Sequence, residues 1–477
     1  QADKGGSNMS NPILTFTNWV WGYPMLIWLV GGGIFLSFRY KFIQFTKLGF
    51  VLKNTIVKAF KGGEINSDGN KISGYKAVTG ALASTLGAGN IVGTAIAIGY
   101  GGPGGVFWLW LTGLFACVIK YSEVVLGMKY RQRDKEGKWF GGPQYYLPKA
   151  TGWKWIGFAY AISCAFCLFL AASAQIGSVV DTVETIHIPR IVSTAVLIIA
   201  AALIVLGGLT RLLSFTEKIV PVMSVIYMAA GLVVIVLNAK ELPAAFASIF
   251  QYAFTGRAAV GGFGGATLAM CIRWGVCRGV YSNDSGTGVT TITHAAADVN
   301  HPVQQGMWGI FEVFFDTIVV CSVTCLVILT TGVWQTDASV STLTIAGFQK
   351  ALGPVAGGFI VSLSLTLFCF TTAVAQTLFG CDQLVKIFGE KAGTWGKYVY
   401  LGLMFIGGMV GISALINYVD FGSFLIIFFN MIGVYLCHGE VRKLTEEYFS
   451  DTEKWETQKW QPWVEMEEKD IRSSHHE

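Results

Sequence analysis

Residues 282–288 read Ser282-Asn283-Asp284-Ser285-Gly286-Thr287-Gly288, a polar, glycine-bearing run set inside an otherwise apolar stretch. A carboxylate in such surroundings is costly and functional by default. Asp284 can bind an ammonium group, a metal cation or a proton; its plainer use is as a cap on a half-helix, a role open equally to Asn283 and Ser285. A second run, Ser84-Thr85-Leu86-Gly87-Ala88-Gly89-Asn90, interrupts another apolar stretch with two glycines, two hydroxyls and an amide. Glycine at 87 and 89 admits unusual dihedrals and close approach of a ligand. Amides freed at Ala88 and Gly89, at the positive start of a half-helix, suit a carboxylate. Carbonyls freed around Ala83, Thr85 and Leu86 suit Na+ or an ammonium group. The glycines could instead serve only helix packing, a reading that fits Gly93 as well as any other.

These breaks must be held by membrane helices. Of 477 residues, 53% are hydrophobic and 13% charged, about half the charge of a soluble domain, and the mean hydropathy is +0.54. Apolar runs such as 19–38, 191–209 and 219–237 match the ~20 residues that cross a hydrocarbon core. Runs and breakers predict eleven spans, near 19–38, 77–99, 104–128, 155–184, 191–209, 215–238, 262–297, 303–331, 352–379, 396–412 and 414–437. The stretch Lys41–Phe60, with Phe42, Phe45, Leu48, Leu52, Ile56 and Phe60, predicts a helix lying in the interface.

With the N-terminus outside, the cytoplasmic segments hold 26 of the 34 Lys and Arg residues and the outside segments five. That asymmetry follows the positive-inside rule and predicts a cytoplasmic C-terminus. The expected organisation is a polar lead at 1–18, an extra membrane helix at 19–38 and a cytoplasmic amphipathic connection at 39–76. Two five-helix repeats follow at 77–238 and 258–437, then a cytoplasmic polar tail at 438–477, ending in disorder. Each five opens with a broken helix, and each break is followed by a proline, Pro103 or Pro302. Paired interrupted helices in two halves point to a transport site, and an odd number of spans per half inverts the second half.

Other chemistries find little support. The ten cysteines lie mostly in apolar runs, and Cys164-x-x-Cys167 has no His or acidic partner nearby, so both read as small core residues. There is no nucleophile elbow, no Walker motif and no metal-spaced cluster, so neither an enzyme, a resident cofactor nor a nucleic-acid partner is expected. Lys120 and Glu123 are spaced for a pair on one helix; Glu312 and Asp316 share a face, either buried and hydrogen-bonded or coupling protons. Arg273 and Arg278 are open to structural pairing or gating, and His294 and His301 read as satisfied polar residues. A channel is the weaker alternative to a carrier, because a single long chain with its own pseudo-repeat needs no oligomeric pore.

Several motifs resemble the alanine/glycine:cation symporter family, part of the amino acid–polyamine–organocation superfamily. They are Gly101–Trp110 (GGPGGVFWLW), Ser84–Gly93 (STLGAGNIVG), Lys120-Tyr121-Ser122-Glu123, Gly141–Tyr146 (GGPQYY), and RGVYSNDSGTG with THAAADVNHPVQQG between Arg278 and Trp334. The resemblance spans residues 15–440. It implies an all-α, leucine-transporter-like membrane fold with two inverted five-helix repeats plus one N-terminal helix. It implies, too, Na+-driven uptake, H+-driven in some members, of a small neutral amino acid such as alanine or glycine across the cell membrane by alternating access. Carried over by motif, the substrate would meet Thr85, Gly87, Ala88, Gly89 and Asn90, Asp284, Ser285 and Gly286, and Gln175, Thr372 and Gln376. Na+ would meet Ala83, Leu86, Thr371 and Thr372. One departure bears on specificity: where the family pattern ends in Trp, this chain reads Phe370-Thr371-Thr372-Ala373-Val374-Ala375-Gln376. Gln376 removes an apolar wall and adds an amide, which opens the pocket to serine, glutamine or another neutral amino acid.

Overall fold

The computed structural model describes residues 12–62, 72–133, 137–184, 188–255, 267–336 and 338–463. The expected disordered end of the tail, most of the polar lead and the first residues of the 262–297 span lie outside them. The described residues are almost entirely helical; the β-structure is one short antiparallel pair, Gln132–Arg133 with Trp139–Phe140. Six helices are long and apolar enough to cross a bilayer: Gly104–Lys129, Lys154–Glu184, Gly208–Leu237, Pro302–Thr331, Pro354–Phe388 and Ala414–Leu436. Two bent pairs pass the same test together, Pro12–Val20 with Tyr23–Arg39 and Gly74–Thr85 with Gly89–Gly101. Arg190–Val205, Leu268–Asn283 and Glu390–Val410 complete the helical bundle.

The outward faces confirm which solvent the bundle meets. Ile199, Leu203, Val225 and Val236 are each about two-thirds exposed, a cost in water but none in hydrocarbon. All ten cysteines are free and buried, in keeping with small core residues.

Three elements depart from expectation. The chain is already helical at Pro12, within the expected polar lead, because Ile13, Leu14 and Phe16 extend the apolar run. Leu242–Thr255 and Leu343–Leu352 form helices in connections between the expected spans. The stretch expected to lie in the interface is helical over Ile43–Thr46 and, after a turn at Lys47, from Leu48 to Gly62, but it packs through Ile43, Val51, Thr55 and Ala59, while Phe45 and Phe60 face outward.

Candidate functional site

The first break is a 55° bend between Gly74–Thr85 and Gly89–Gly101. Leu86 ends the first half with an extended ψ of 91°, which turns its carbonyl out of the helical ladder. The freed N–H groups find side chains: Gly87 donates to Asn90 Oδ1 at 2.9 Å and Ala88 to Gln175 Oε1 at 3.0 Å. A Cβ at Gly87 would stand 2.8 Å from Thr372 Oγ1, and one at Gly89 would stand 3.0 Å from Ser282 Cα. Both glycines therefore permit close approach, and the second brings the two breaks together.

The second break follows Leu268–Asn283, which Asp284 caps in the left-handed region at φ 51°. Asp tolerates that conformation better than most residues. Its backbone does capping work, with its N–H donating to Val280 O at 2.9 Å and its carbonyl accepting from Thr287 Oγ1 at 2.6 Å. Its side chain lines a cavity, so the cap and the site are separate uses of one residue.

That cavity, of about 20 Å³, is lined by Ser84, Thr85, Gly89, Gln175, Asp284, Thr287 and Gln376, with Tyr281, Cys167, Leu168 and Ala171. Val419, Ser423 and Ile426 of the Ile412–Leu436 helix close its far side. The volume has room for about one water, so admitting an organic solute requires its walls to part. Gln376 Oε1 is buried there without a hydrogen-bond partner. Above Tyr281, Arg278 pairs with Asp420 at 2.5 Å, both buried; the pairing left open for Arg278 is therefore with Asp420.

Beside the cavity three carbonyls converge on one hydroxyl. Thr372 Oγ1 lies 2.9 Å from Ala83 O, 3.0 Å from Leu86 O and 2.9 Å from Phe368 O. A hydroxyl has one hydrogen to give, so two of these carbonyls face its oxygen with no hydrogen between. Such an oxygen cluster fits a small cation.

Not every expected residue joins the cavity or this cluster. Thr371 Oγ1 turns to Leu367 O and Phe368 O of its own helix and to Met223 Sδ, because neighbouring positions on a helix point about 100° apart. Asn90 is committed elsewhere, its Nδ2 donating to Asp316 Oδ1 at 2.7 Å and Ser282 Oγ at 2.9 Å, and so staples the breaks together. Gly286, at φ 87°, faces Leu29 and Ile427, and its carbonyl accepts from Asn430 Nδ2 at 2.8 Å. Ser285 is buried beside it and does not line the cavity. Sequence reasoning missed the Ile412–Leu436 wall, where Ser423 and Asp420 were the available polar signals.

The model of the sodium:alanine symporter family matches residues 7–462. The chain belongs to the sodium:alanine symporter family. It is 38% identical to the uncharacterized transporter YflA of Bacillus subtilis, covering 91% of this chain and 92% of that one. It is 36% identical to the sodium/alanine symporter AgcS of Methanococcus maripaludis, over 91% and 96%. To the probable sodium/glutamine symporter GlnT of Bacillus subtilis it is 31% identical, over 90% and 88%. Among solved structures, MhsT in complex with L-phenylalanine aligns with a TM-score of 0.56 at 14% identity, covering 76% of this chain and 88% of that one. This likeness supports the leucine-transporter-like fold. A family member with this fold is a multi-pass membrane transporter, not an enzyme.

Proposed function

We propose that this protein is a secondary active symporter in which inward Na+ flux drives uptake of a neutral α-amino acid by alternating access. The observation that carries this reading is the convergence of the Ala83, Leu86 and Phe368 carbonyls on Thr372 Oγ1, next to a cavity lined by Asp284, Gln175 and Gln376. Unwound carbonyls suit a Na+ ion, and the start of a half-helix suits a carboxylate. The amino acid's carboxylate would replace Gln175 Oε1 at the Ala88 N–H, and its ammonium would face Asp284 and Thr85. Na+ would sit among Ala83, Leu86 and Thr372. The protein would lie in the cell membrane, N-terminus outside and C-terminus cytoplasmic, with residues 77–238 and 258–437 as inverted repeats.

The unpartnered Gln376 Oε1 favours a substrate whose own side chain donates a hydrogen bond, such as serine or glutamine, over alanine. Relatives named for alanine and for glutamine leave room for either. The test is binding of an amino-acid panel to purified protein by calorimetry, with NaCl or choline chloride. Binding of a neutral amino acid that requires Na+ is expected; the absence of binding by any neutral amino acid would refute the reading.

A further inference from the structure

A second charged cluster lies outside the cavity, beneath the Asp284 break, and it has the make-up of an ion site already filled. Lys120, Glu123, Thr290, His294 and Glu312 are all fully buried. The Lys120 ammonium donates to the Asp284 carbonyl at 3.1 Å and to Thr290 Oγ1 at 2.9 Å. Its third hydrogen is left for two carboxylate oxygens, Glu312 Oε1 at 3.6 Å and Glu123 Oε2 at 3.9 Å. Neither of those two oxygens has a hydrogen-bond partner. Their sister oxygens do: Glu123 Oε1 accepts from Asn430 Nδ2 at 2.6 Å and Glu312 Oε2 meets His294 Nε2 at 2.9 Å.

Four oxygens from three elements thus surround one nitrogen, and the packing makes room for it. A Cβ at Gly309 would stand 3.2 Å from Lys120 Cγ, so glycine there lets the Pro302–Val313 helix close over the lysine stem. The cluster also ties the break to its supports, through Asn430 to the Gly286 carbonyl and through His294 to Gln305 Nε2 at 2.7 Å.

We propose that Lys120 is a tethered cation filling an ion site at the second break, a positioning residue that holds the Asp284 turn without a diffusible ion. Removing it leaves two buried carboxylates without their counter-charge, which water-poor surroundings penalise strongly. The vacancy is then refilled by the smallest cation on offer, a proton at low pH or an alkali ion at high concentration. The titratable groups facing the site are Glu123 on its own helix, Glu312 and Asp316 on Pro302–Thr331, His294 after the break, Asp284 at the break and Tyr146 against Asn430. Lys120→Gln removes one positive charge from the cluster, and Lys120→Gln with Glu312→Gln removes one charge of each sign.

The proposal rests on the symporter reading for its consequence, while its test does not. The melting temperature of purified protein in detergent is measured from pH 5 to 8, in NaCl, KCl and choline chloride, without amino acid. Lys120→Gln is expected to gain thermal stability over wild type on acidification, with proton occupancy rising about tenfold per pH unit above its midpoint, and to gain more from Na+ or K+ than wild type does. The double variant is expected to show wild type's response to pH and cations. If Lys120→Gln does not fold, the double variant still must fold and show that response. A single variant with wild type's pH and cation response, or a double variant no better than the single, overturns the proposal. Loss of all Na+-dependent amino-acid binding by wild type would overturn the symporter reading and leave this one standing.

Discussion

Leu86, where the first broken helix ends, holds its carbonyl oxygen 3.0 Å from the hydroxyl oxygen of Thr372 on Pro354–Phe388. The contact links the bend to Pro354–Phe388 and supplies two of the oxygens of the cluster assigned to the coupling ion. Thr372→Val keeps the side chain's shape and removes the oxygen. The half-saturating Na+ concentration for uptake should rise about tenfold or more, the loss of ~1.4 kcal/mol of ion binding. Thr372→Ser should restore it. Thr371→Val should change Na+ dependence far less, because its hydroxyl faces Met223 and its own helix.

Asp284→Asn separates the two uses of that residue. Asn also tolerates the left-handed turn, so the variant should fold and run as wild type on size exclusion. Amino-acid binding by calorimetry should be lost, because the carboxylate proposed to face the ammonium is gone. Retained binding would reduce Asp284 to a cap.

Gln376→Trp tests specificity. A Trp there fills the side of the cavity that Gln376 lines and removes the unpartnered amide oxygen. Competition between radiolabelled alanine and unlabelled glutamine should shift toward alanine by about tenfold, the scale on which a lost polar contact or filled pocket discriminates. An unchanged ranking would place the side-chain subsite elsewhere.

His301 gives a pH prediction at the end of the bundle where the C-terminal segment docks. It caps Pro302–Val313 by accepting from the Val303 N–H and packs against Tyr448, Trp455 and Trp460. Burial, with Lys454 beside it, pushes its imidazole down to about 3. Glu447 lies 3.9 Å away but is 43% exposed, so water screens its pull. Between the usual value near 6.5 and about 3, the unfolded chain binds a proton that the folded one refuses. The docked tail should therefore weaken as pH falls below about 6.5, seen as a rise in tryptophan accessibility to a quencher. His301→Asn keeps a capping oxygen and should flatten that dependence.

Much of this was legible in the sequence, unevenly. Both breaks announce themselves through glycines and polar residues in apolar sequence, and Lys120–Glu123 through helical spacing. That Glu312 joins the same ammonium was not legible, because only folding brings Pro302–Thr331 against Gly104–Lys129. Asn90 carries the chemistry of a ligand contact, yet Asp316, far along the chain, claims its amide. Val419 and Ile426 look like lipid-facing residues, since apolar sequence does not distinguish a pocket from a bilayer, and the signal on that wall lies in Asp420 and Ser423 beside them. Leu242–Thr255 is legible as a helix, because Leu242, Ala245, Phe246, Ile249, Phe250 and Ala253 recur at helical spacing, although it is too short to count among the spans.

The central claim, Na+-driven uptake of a neutral amino acid, is tested most directly in liposomes holding purified protein. A labelled amino-acid panel is offered under an inward Na+ gradient at equal pH, and separately under an inward proton gradient without Na+. Accumulation of a neutral amino acid driven by the Na+ gradient alone is the predicted result. Uptake that ignores the Na+ gradient and follows the proton gradient would contradict it.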